Sequence, residues 1–387
     1  MSGLSGSGSR HLLHGMGVLA VAAIAAGSWW SRREGELPVQ VENALQLRNL
    51  PPNRWIKYHE EKPGTWSRQG HAGMAFDSKR GTLLIFGSDT HGQDWDNSVH
   101  EFDPRRKRWE THQPVAGPDT YRVDDAGTPL AGASPVRPWA MHTYDAIEYH
   151  PGLDALVVMS TTEHNPAPVR GTARQPTWIY ELSTRQWRPL ENGGKSAPSF
   201  FAGSSAFDQR RGVLVAYRHG LWELDAVAAV WRQAPVEVHH SMHHTTAYDS
   251  RRGDVFVFGD YQATNHVWRY TPGAAAGEKG NWTLLRPQGD PCPPYTTVPV
   301  AFDANQDVFI LVVDDATPGP PPRPKATSAS TYFYDPQANT YTKLPDADLP
   351  PIGMNFMMAW DRRHEVTFLV TGDCRGIVNA WALRARK

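Results

Sequence analysis

An all-β fold, a six-bladed β-propeller of four-stranded blades closed by an N-terminal strand, follows from three observations on this 387-residue chain. An aromatic residue followed by a turn and a β-rich run recurs six times. Each copy continues into further β-type segments. The last copy lacks a final strand, which the sequence ahead of the first copy can supply. Repeats of this length and patterning point to propeller blades and away from doubly wound or helical folds.

The anchoring aromatics are Phe76, Tyr149, Phe207, Tyr248, Phe302 and Trp360, spaced 41 to 73 residues apart. In the first copy Ala75-Phe76-Asp77-Ser78-Lys79-Arg80-Gly81 leads into Thr82-Leu83-Leu84-Ile85-Phe86-Gly87. The second has Tyr149-His150-Pro151-Gly152 before the run 155–159, and the third and fourth place Arg210-Arg211-Gly212 and Arg251-Arg252-Gly253 after their anchors. The strand leading into each anchor is strand a and the run after it strand b. Strand c carries an aromatic (Phe102, Tyr180, Trp222, Tyr270, Tyr334, Trp381), and strand d of the first five copies opens on Trp109, Trp187, Trp231, Trp282 or Tyr341. Turn-forming residues separate them. The sixth copy runs out after strand c. Arg54-Trp55-Ile56-Lys57-Tyr58 reads like the missing strand d, and pairing it there would close the ring without an open edge.

Composition agrees. Fifteen Trp, thirteen Tyr and thirteen Phe supply bulky packing between sheets, and 33 Gly with 32 Pro suit many turns. A formal net charge of −1 gives no overall field for nucleic acid.

Residues 1–30 read as a signal peptide or signal anchor: Arg10, an apolar run over 15–27, and small residues at Ala23-Ile24-Ala25. The stretch from Leu12 to Trp30 is also long enough to span a bilayer, so an uncleaved segment would make the membrane a partner. Both readings predict export, to the periplasm or to a membrane anchor facing it. Residues 31–52 read as an extended tether and 53–387 as the propeller. Insertions at 114–138, 164–176 and 314–328 interrupt it, the first long enough for a lid or a partner-binding loop.

In a four-stranded meander successive turns alternate between the two faces of the disk. The a–b and c–d turns, rich in Arg and Lys, therefore share one face. The other collects the insertions and most histidines: His71, His91, His142, His164, His239, His240, His243, His244 and His266, with acids such as Asp89, Asp94 and Asp145. His71, His91, Asp94, His142, Asp145, His164, His240 and His266 form the candidate ligand-binding face. Imidazole serves equally as metal ligand and as acid/base group near neutral pH. His71 and His243, from opposite blades, are the candidate ligands for a transition metal, with His240, His142 and Asp145 in reserve. The competing reading has these imidazoles hydrogen-bonding loop carbonyls and stacking on aromatics.

The β-runs ending in Gly (Phe86-Gly87, Phe258-Gly259, Thr371-Gly372), then an aromatic strand c and a Trp, resemble the kelch repeat. The resemblance covers about residues 53–387, though the double Gly typical of kelch repeats is reduced to one. It implies a propeller of the superfamily that includes the galactose-oxidase-like proteins. Their copper is held by two His and two Tyr, one Tyr cross-linked to a Cys. His71, His243, Tyr144 and Tyr295 are the residues here that could approach the axis, but neither Cys292 nor Cys374 copies the cross-link site. A periplasmic sialic-acid mutarotase is another six-bladed kelch relative, and none of its residues carries over; the Asp-box of sialidases is absent.

The expected function is ligand binding on the His/Asp/aromatic-rich face, with a carbohydrate or an envelope protein as partner. The alternative is a metal-dependent enzyme, an oxidase or a sugar-modifying one, working at the channel mouth. Cys292 and Cys374 fall on the same face of neighbouring blades, where an oxidising compartment would allow a disulfide.

Overall fold

A computed structural model describes residues 37–61, 71–162, 175–190, 198–239, 242–259, 264–316, 326–345, 349–372 and 378–387. The expected signal segment, His164, His240 and Cys374 lie outside these residues.

After strand β1 (Ile56–Glu60), blade 1 is built from β2 (Gly73–Asp77), β3 (Thr82–Phe86), β4 (His100–Asp103) and β5 (Arg108–Thr111). A short hairpin of β6 (Arg122–Val123) and β7 (Pro129–Leu130) follows. Blade 2 comprises β8 (Ile147–His150), β9 (Ala155–Val158), β10 (Trp178–Glu181) and β11 (Gln186–Pro189). Blade 3 comprises β12 (Ser204–Asp208), β13 (Val213–Tyr217), β14 (Leu221–Asp225) and β15 (Val230–Gln233). Blade 4 has β16 (Thr245–Asp249), β17 (Asp254–Phe258), β18 (Val267–Thr271) and β19 (Asn281–Leu285). Blade 5 adds the short β20 (Gln288–Gly289) outside β21 (Val300–Asp303), β22 (Val308–Asp314), β23 (Ala329–Asp335) and β24 (Thr340–Lys343). Blade 6 holds β25 (Met358–Asp361), β26 (Val366–Thr371) and β27 (Asn379–Leu383).

Each blade is an antiparallel meander. The six a strands (β2, β8, β12, β16, β21, β25) contact one another in succession and back to the first, closing the ring around the axis. The b strands lie between sheets and are buried on both faces, which is why they read as unbroken apolar runs. Six apolar clusters each span two neighbouring blades, such as Ala146, Val157 and Ile179 of blade 2 against Leu214, Ala216 and Leu224 of blade 3.

The predicted closure is present. Strand β1 pairs with β27, with Ile56 opposite Ala382 and Glu60 opposite Asn379, around an irregularity between Lys57 and His59. Tyr58 is buried, and Trp55 Nε1 donates to Thr331 Oγ1 of blade 5 at 2.8 Å.

The repeated aromatic–Asp pair has a local cause. Asp77, Asp208, Asp249, Asp303 and Asp361 each accept backbone N–H groups two and three residues on, which fixes the a–b turn. Gly81, Gly212 and Gly253 complete three of these turns at φ of 76°, 68° and 83°. In blade 2 His150 Nδ1 takes the Asp role, accepting from Leu153 N–H. The arginines of these turns also join blades: Arg80 reaches both Asp77 and Asp154 of blade 2, and Arg252 both Asp249 and Asp307 of blade 5.

Residues 37–48 are helical, not the extended tether expected. Asn43, Leu47 and Leu50 are buried, the two leucines in the cluster between blades 6 and 1. Their spacing places them on one helical face, and Glu42, Ala44, Leu45, Gln46 and Arg48 are good helix formers. No helix among the described residues is long and apolar enough to cross a membrane.

Candidate functional site

The residue five positions ahead of the anchor has positive φ in four successive blades: His71 (62°), Tyr144 (49°), Ala202 (55°) and His243 (63°). Non-glycine residues seldom adopt this backbone, and it persists where the surroundings over-determine it. Here backbone hydrogen bonds link neighbouring blades, Tyr144 N–H to His71 O and His243 N–H to Ala202 O, both at 2.9 Å. Tyr144, Ala202 and Phe356 form a small buried cluster at this level, with Phe201, Met242 and Met354 packed around them. The tight ring thus sets an aromatic plug at the channel mouth.

Beside the plug, between blades 1 and 2, lie His71, Asp89, His91 and His142. Asp89 caps the short 3-10 turn Thr90–Gly92 by accepting from Gly92 N–H, and this turn carries His91 outward. His71 Nδ1 is 3.4 Å and His142 Nε2 3.7 Å from Asp89 Oδ1. The rings of His71 and His142 stack with centroids 4.3 Å apart and 8° between planes, and His91 packs edge-on against both. His142 is fully buried. Its Nε2 accepts from Thr90 N–H at 3.1 Å, so the proton sits on Nδ1, which lies 3.0 Å from Tyr144 Oη.

His71, Asp89 and His142 are one of two groups of three ligand-type side chains that converge among the described residues. Zinc bonds of about 2.0–2.1 Å to nitrogen place neighbouring donors of a tetrahedron about 3.3 Å apart, close to the two separations above. Two features oppose immediate coordination. A metal lies in the plane of each imidazole it binds, which two parallel rings cannot both satisfy, and Nε2 of His142 is already engaged by Thr90. His71, with 18 % of its side chain exposed, is the ring with room to turn.

Asp94, in the same loop, has its carboxyl pushed up to about 6 by burial, helped by repulsion from Asp96 and Asp89. Asp145 does not join the cluster: its Oδ2 accepts Thr246 N–H at 2.6 Å, tying blade 2 to blade 4. Burial, then repulsion from Glu148, raises the Asp145 pKa well above the usual carboxylate range.

The His71–His243 pair is divided by Tyr144, which stacks on His243 at 5.3 Å and meets His71 edge-on at 5.4 Å. His243 therefore belongs to the plug and His71 to the cluster. His239 stacks on Trp268, His244 packs on Tyr217, and His266 lies 3.1 Å from Arg286. Tyr295 is not at the mouth. It is buried between blades 4 and 5, its hydroxyl 2.9 Å from Tyr341 of an outer strand, so the four-residue copper set is not assembled. Cys292 lies in the same cluster as a buried free thiol, its pKa pushed up to about 12 by burial. The insertion 114–138 is no loose lid: Tyr121 stacks on Trp139 at 5.2 Å over Ala116 and Ala131, and the β6–β7 hairpin stiffens it.

The second convergent group went unseen in the sequence. Glu101 and Glu110 stand directly opposite each other on β4 and β5. His112 Nε2 lies 2.6 Å from Glu101, and Arg185 of blade 2 lies 2.5 Å from Glu110. The like charges are thus already answered by an imidazole and a guanidinium, and the group reads as an ion-pair joint between blades. Glu148 was also missed. It occupies the place that Ala75, Ala206, Ala247, Ala301 and Ala359 fill in the other five blades, a signal that aligning the anchors would have exposed.

No family model matches the sequence, and no curated protein matches it. Among solved structures the fold is similar to that of a fungal alcohol oxidase of the AA5 family in complex with copper, at 11 % identity and a TM-score of 0.48. The alignment covers 81 % of this chain, which spans 62 % of that one.

Proposed function

We propose that this chain is an exported propeller that takes up a divalent transition metal at His71, Asp89 and His142 and uses it to bind a hydroxyl-rich ligand, a carbohydrate first, at the mouth between blades 1 and 2. The observation that carries the reading is the convergence of two imidazoles on one carboxylate, at 3.4 and 3.7 Å from Asp89 Oδ1, with all three ligand atoms within 4.8 Å. Three protein ligands would leave a position open for a ligand oxygen, the arrangement of catalytic rather than structural sites. A metal there would polarise a bound hydroxyl, the chemistry an oxidase or sugar-modifying enzyme needs. Around it, Tyr144 Oη is placed to accept the His142 Nδ1 proton, and Asp94 supplies a carboxyl that burial pushes up to about 6. Export rests on the sequence of residues 1–30.

A metal-free binding face has its own support in the Thr90 bond to His142 and the parallel stacking of two rings. In that reading the imidazoles form a platform for a sugar ring or for a peptide of an envelope protein.

Metal analysis of the purified protein, followed by titration with zinc or copper after chelation, tests the proposal. One equivalent per chain is expected, lost in His142→Ala and weakened in Asp89→Asn, with affinity falling toward acid pH as protons compete for the ligands. Absence of binding by the parent protein would overturn the metal reading and leave the platform.

A further inference from the structure

We propose that the helix 37–48 and the arginine-rich turn beneath it form a docking surface for an anionic lipid bilayer, holding the tight-turn face on the membrane and the histidine face away from it. This does not rest on the metal reading.

The first observation is an uncovered apolar stripe. Leu37, Val41 and Leu45, at spacing i, i+4, i+8, are 62 %, 58 % and 51 % exposed. They lie on one side of the helix, roughly opposite the side that buries Asn43, Leu47 and Leu50, so the propeller already occupies the other face. With Pro38 and Glu42 they line an open apolar groove. A helix with one face docked and an apolar stripe turned outward is the pattern of a segment lying in the headgroup region.

The second observation is charge beside the stripe. The helix docks on the c–d turn of blade 1: Asn43 Nδ2 donates to Arg105 O at 2.7 Å and Lys107 Nζ to Gln46 Oε1 at 2.7 Å, while Tyr58 Oη of β1 donates to Pro104 O at 2.8 Å. This turn and the helix together carry Arg48, Arg105, Arg106, Lys107 and Arg108 against Glu42 and Asp103, five cations less two anions, or +3, on a chain whose total is −1. The same turn lines a cleft of about 290 Å³ between blades 1 and 2, where Arg80, Arg105, Arg106, Arg108 and Arg185 stand among Glu101, Asp103 and Glu110, five cations to three carboxylates. Arg80, Arg105 and Arg185 are fixed by carboxylates, whereas Arg106 is 3.7 Å from Asp103. Arg106 and Arg108 are the exposed guanidinium groups of the turn, and such groups suit the phosphate of a lipid headgroup.

Charge complementarity selects the occupant. A second protein chain would cover the stripe equally well, but basic residues clustered beside an apolar helix match an anionic bilayer. The apolar run 15–27 lies a short stretch ahead of the helix in sequence.

The test uses the full chain in vesicles of phosphatidylcholine alone or with phosphatidylglycerol. An environment-sensitive fluorophore is attached through Leu45→Cys, with Cys292→Ser and Cys374→Ser and the fold verified by circular dichroism. The expected result is a blue shift in phosphatidylglycerol vesicles that salt reverses and that Arg105→Gln/Arg106→Gln/Arg108→Gln abolishes. A parallel label through Val115→Cys, 52 % exposed in the insertion on the histidine face, is expected to stay water-exposed. Emission that is water-like in both vesicle types would overturn the proposal. So would emission already shifted in buffer without vesicles or detergent, where a second copy covers the stripe, or a shift that ignores salt and the arginine substitutions.

Discussion

Glu148→Gln should make the protein more stable, by an amount that grows with pH. Glu148 sits on β8 opposite Val157, which is buried in the cluster between blades 2 and 3. Five blades place alanine there, and this blade places a carboxyl whose pKa burial raises well above the usual range. Among the described residues no cation is recorded against it, and Asp145 nearby adds a second carboxyl. Because the folded protein holds this proton more tightly than the unfolded chain, the contribution is fully present below the unfolded pKa, about 4.3 for Glu, and is lost as pH rises toward the folded value. Over that window the parent should lose about 1.4 kcal/mol per pH unit relative to Glu148→Gln. The amide keeps the side-chain volume, so no cavity confounds the comparison. Urea unfolding of both proteins from pH 4 to neutrality measures it: nearly equal stabilities at the acid end, diverging upward. Parallel profiles, offset or not, would show that channel water or an unrecognised partner stabilises the carboxylate, and the argument would fail.

A chain beginning at His59 should not fold, and Tyr58→Ala should cost about 3–5 kcal/mol in chemical denaturation, because both attack the strand that closes blade 6. Arg80→Ala removes the guanidinium that holds Asp154 well below the usual carboxylate range. Stability should fall by about 1 kcal/mol at neutral pH, and the difference should shrink as pH drops and Asp154 protonates in both proteins, as seen in acid melts. Cys292 should resist thiol reagents in the native protein near pH 8, and the unreduced, denatured chain should titrate two thiols. A count of none in a monomer would restore the Cys292–Cys374 bridge.

The blade count, the strand order and the closing strand were legible because they rest on local patterns that repeat. Apolar b runs, turn-forming Asp and Gly, and an aromatic at a fixed place each bias only a few neighbouring residues, and six copies make the bias readable. Turns of a meander must alternate, so sequence could assign the loops of His71, His91 and His142 to one face, and these three rings do meet. The sequence also displayed, unread, Glu148 in an alanine position and an i, i+4 pattern over residues 37–48.

Which side chains meet was decided only by the closed ring. His71, Asp89 and His142 converge because neighbouring a strands touch at the axis, whereas His243, at an equivalent backbone position, is cut off by the ring of Tyr144. Tyr295 left the expected copper set because the connection into blade 5 runs from the outer edge to the axis, and packing buried it near the outer end. The turn arginines showed the same limit: sequence gave their charge, but only the spacing between blades turned Arg80 and Arg252 into ties to Asp154 and Asp307. Periodicity constrains residues joined by a short stretch of backbone. Contacts between blades depend on how six sheets fill the space around one axis, and no short stretch of sequence encodes that distance.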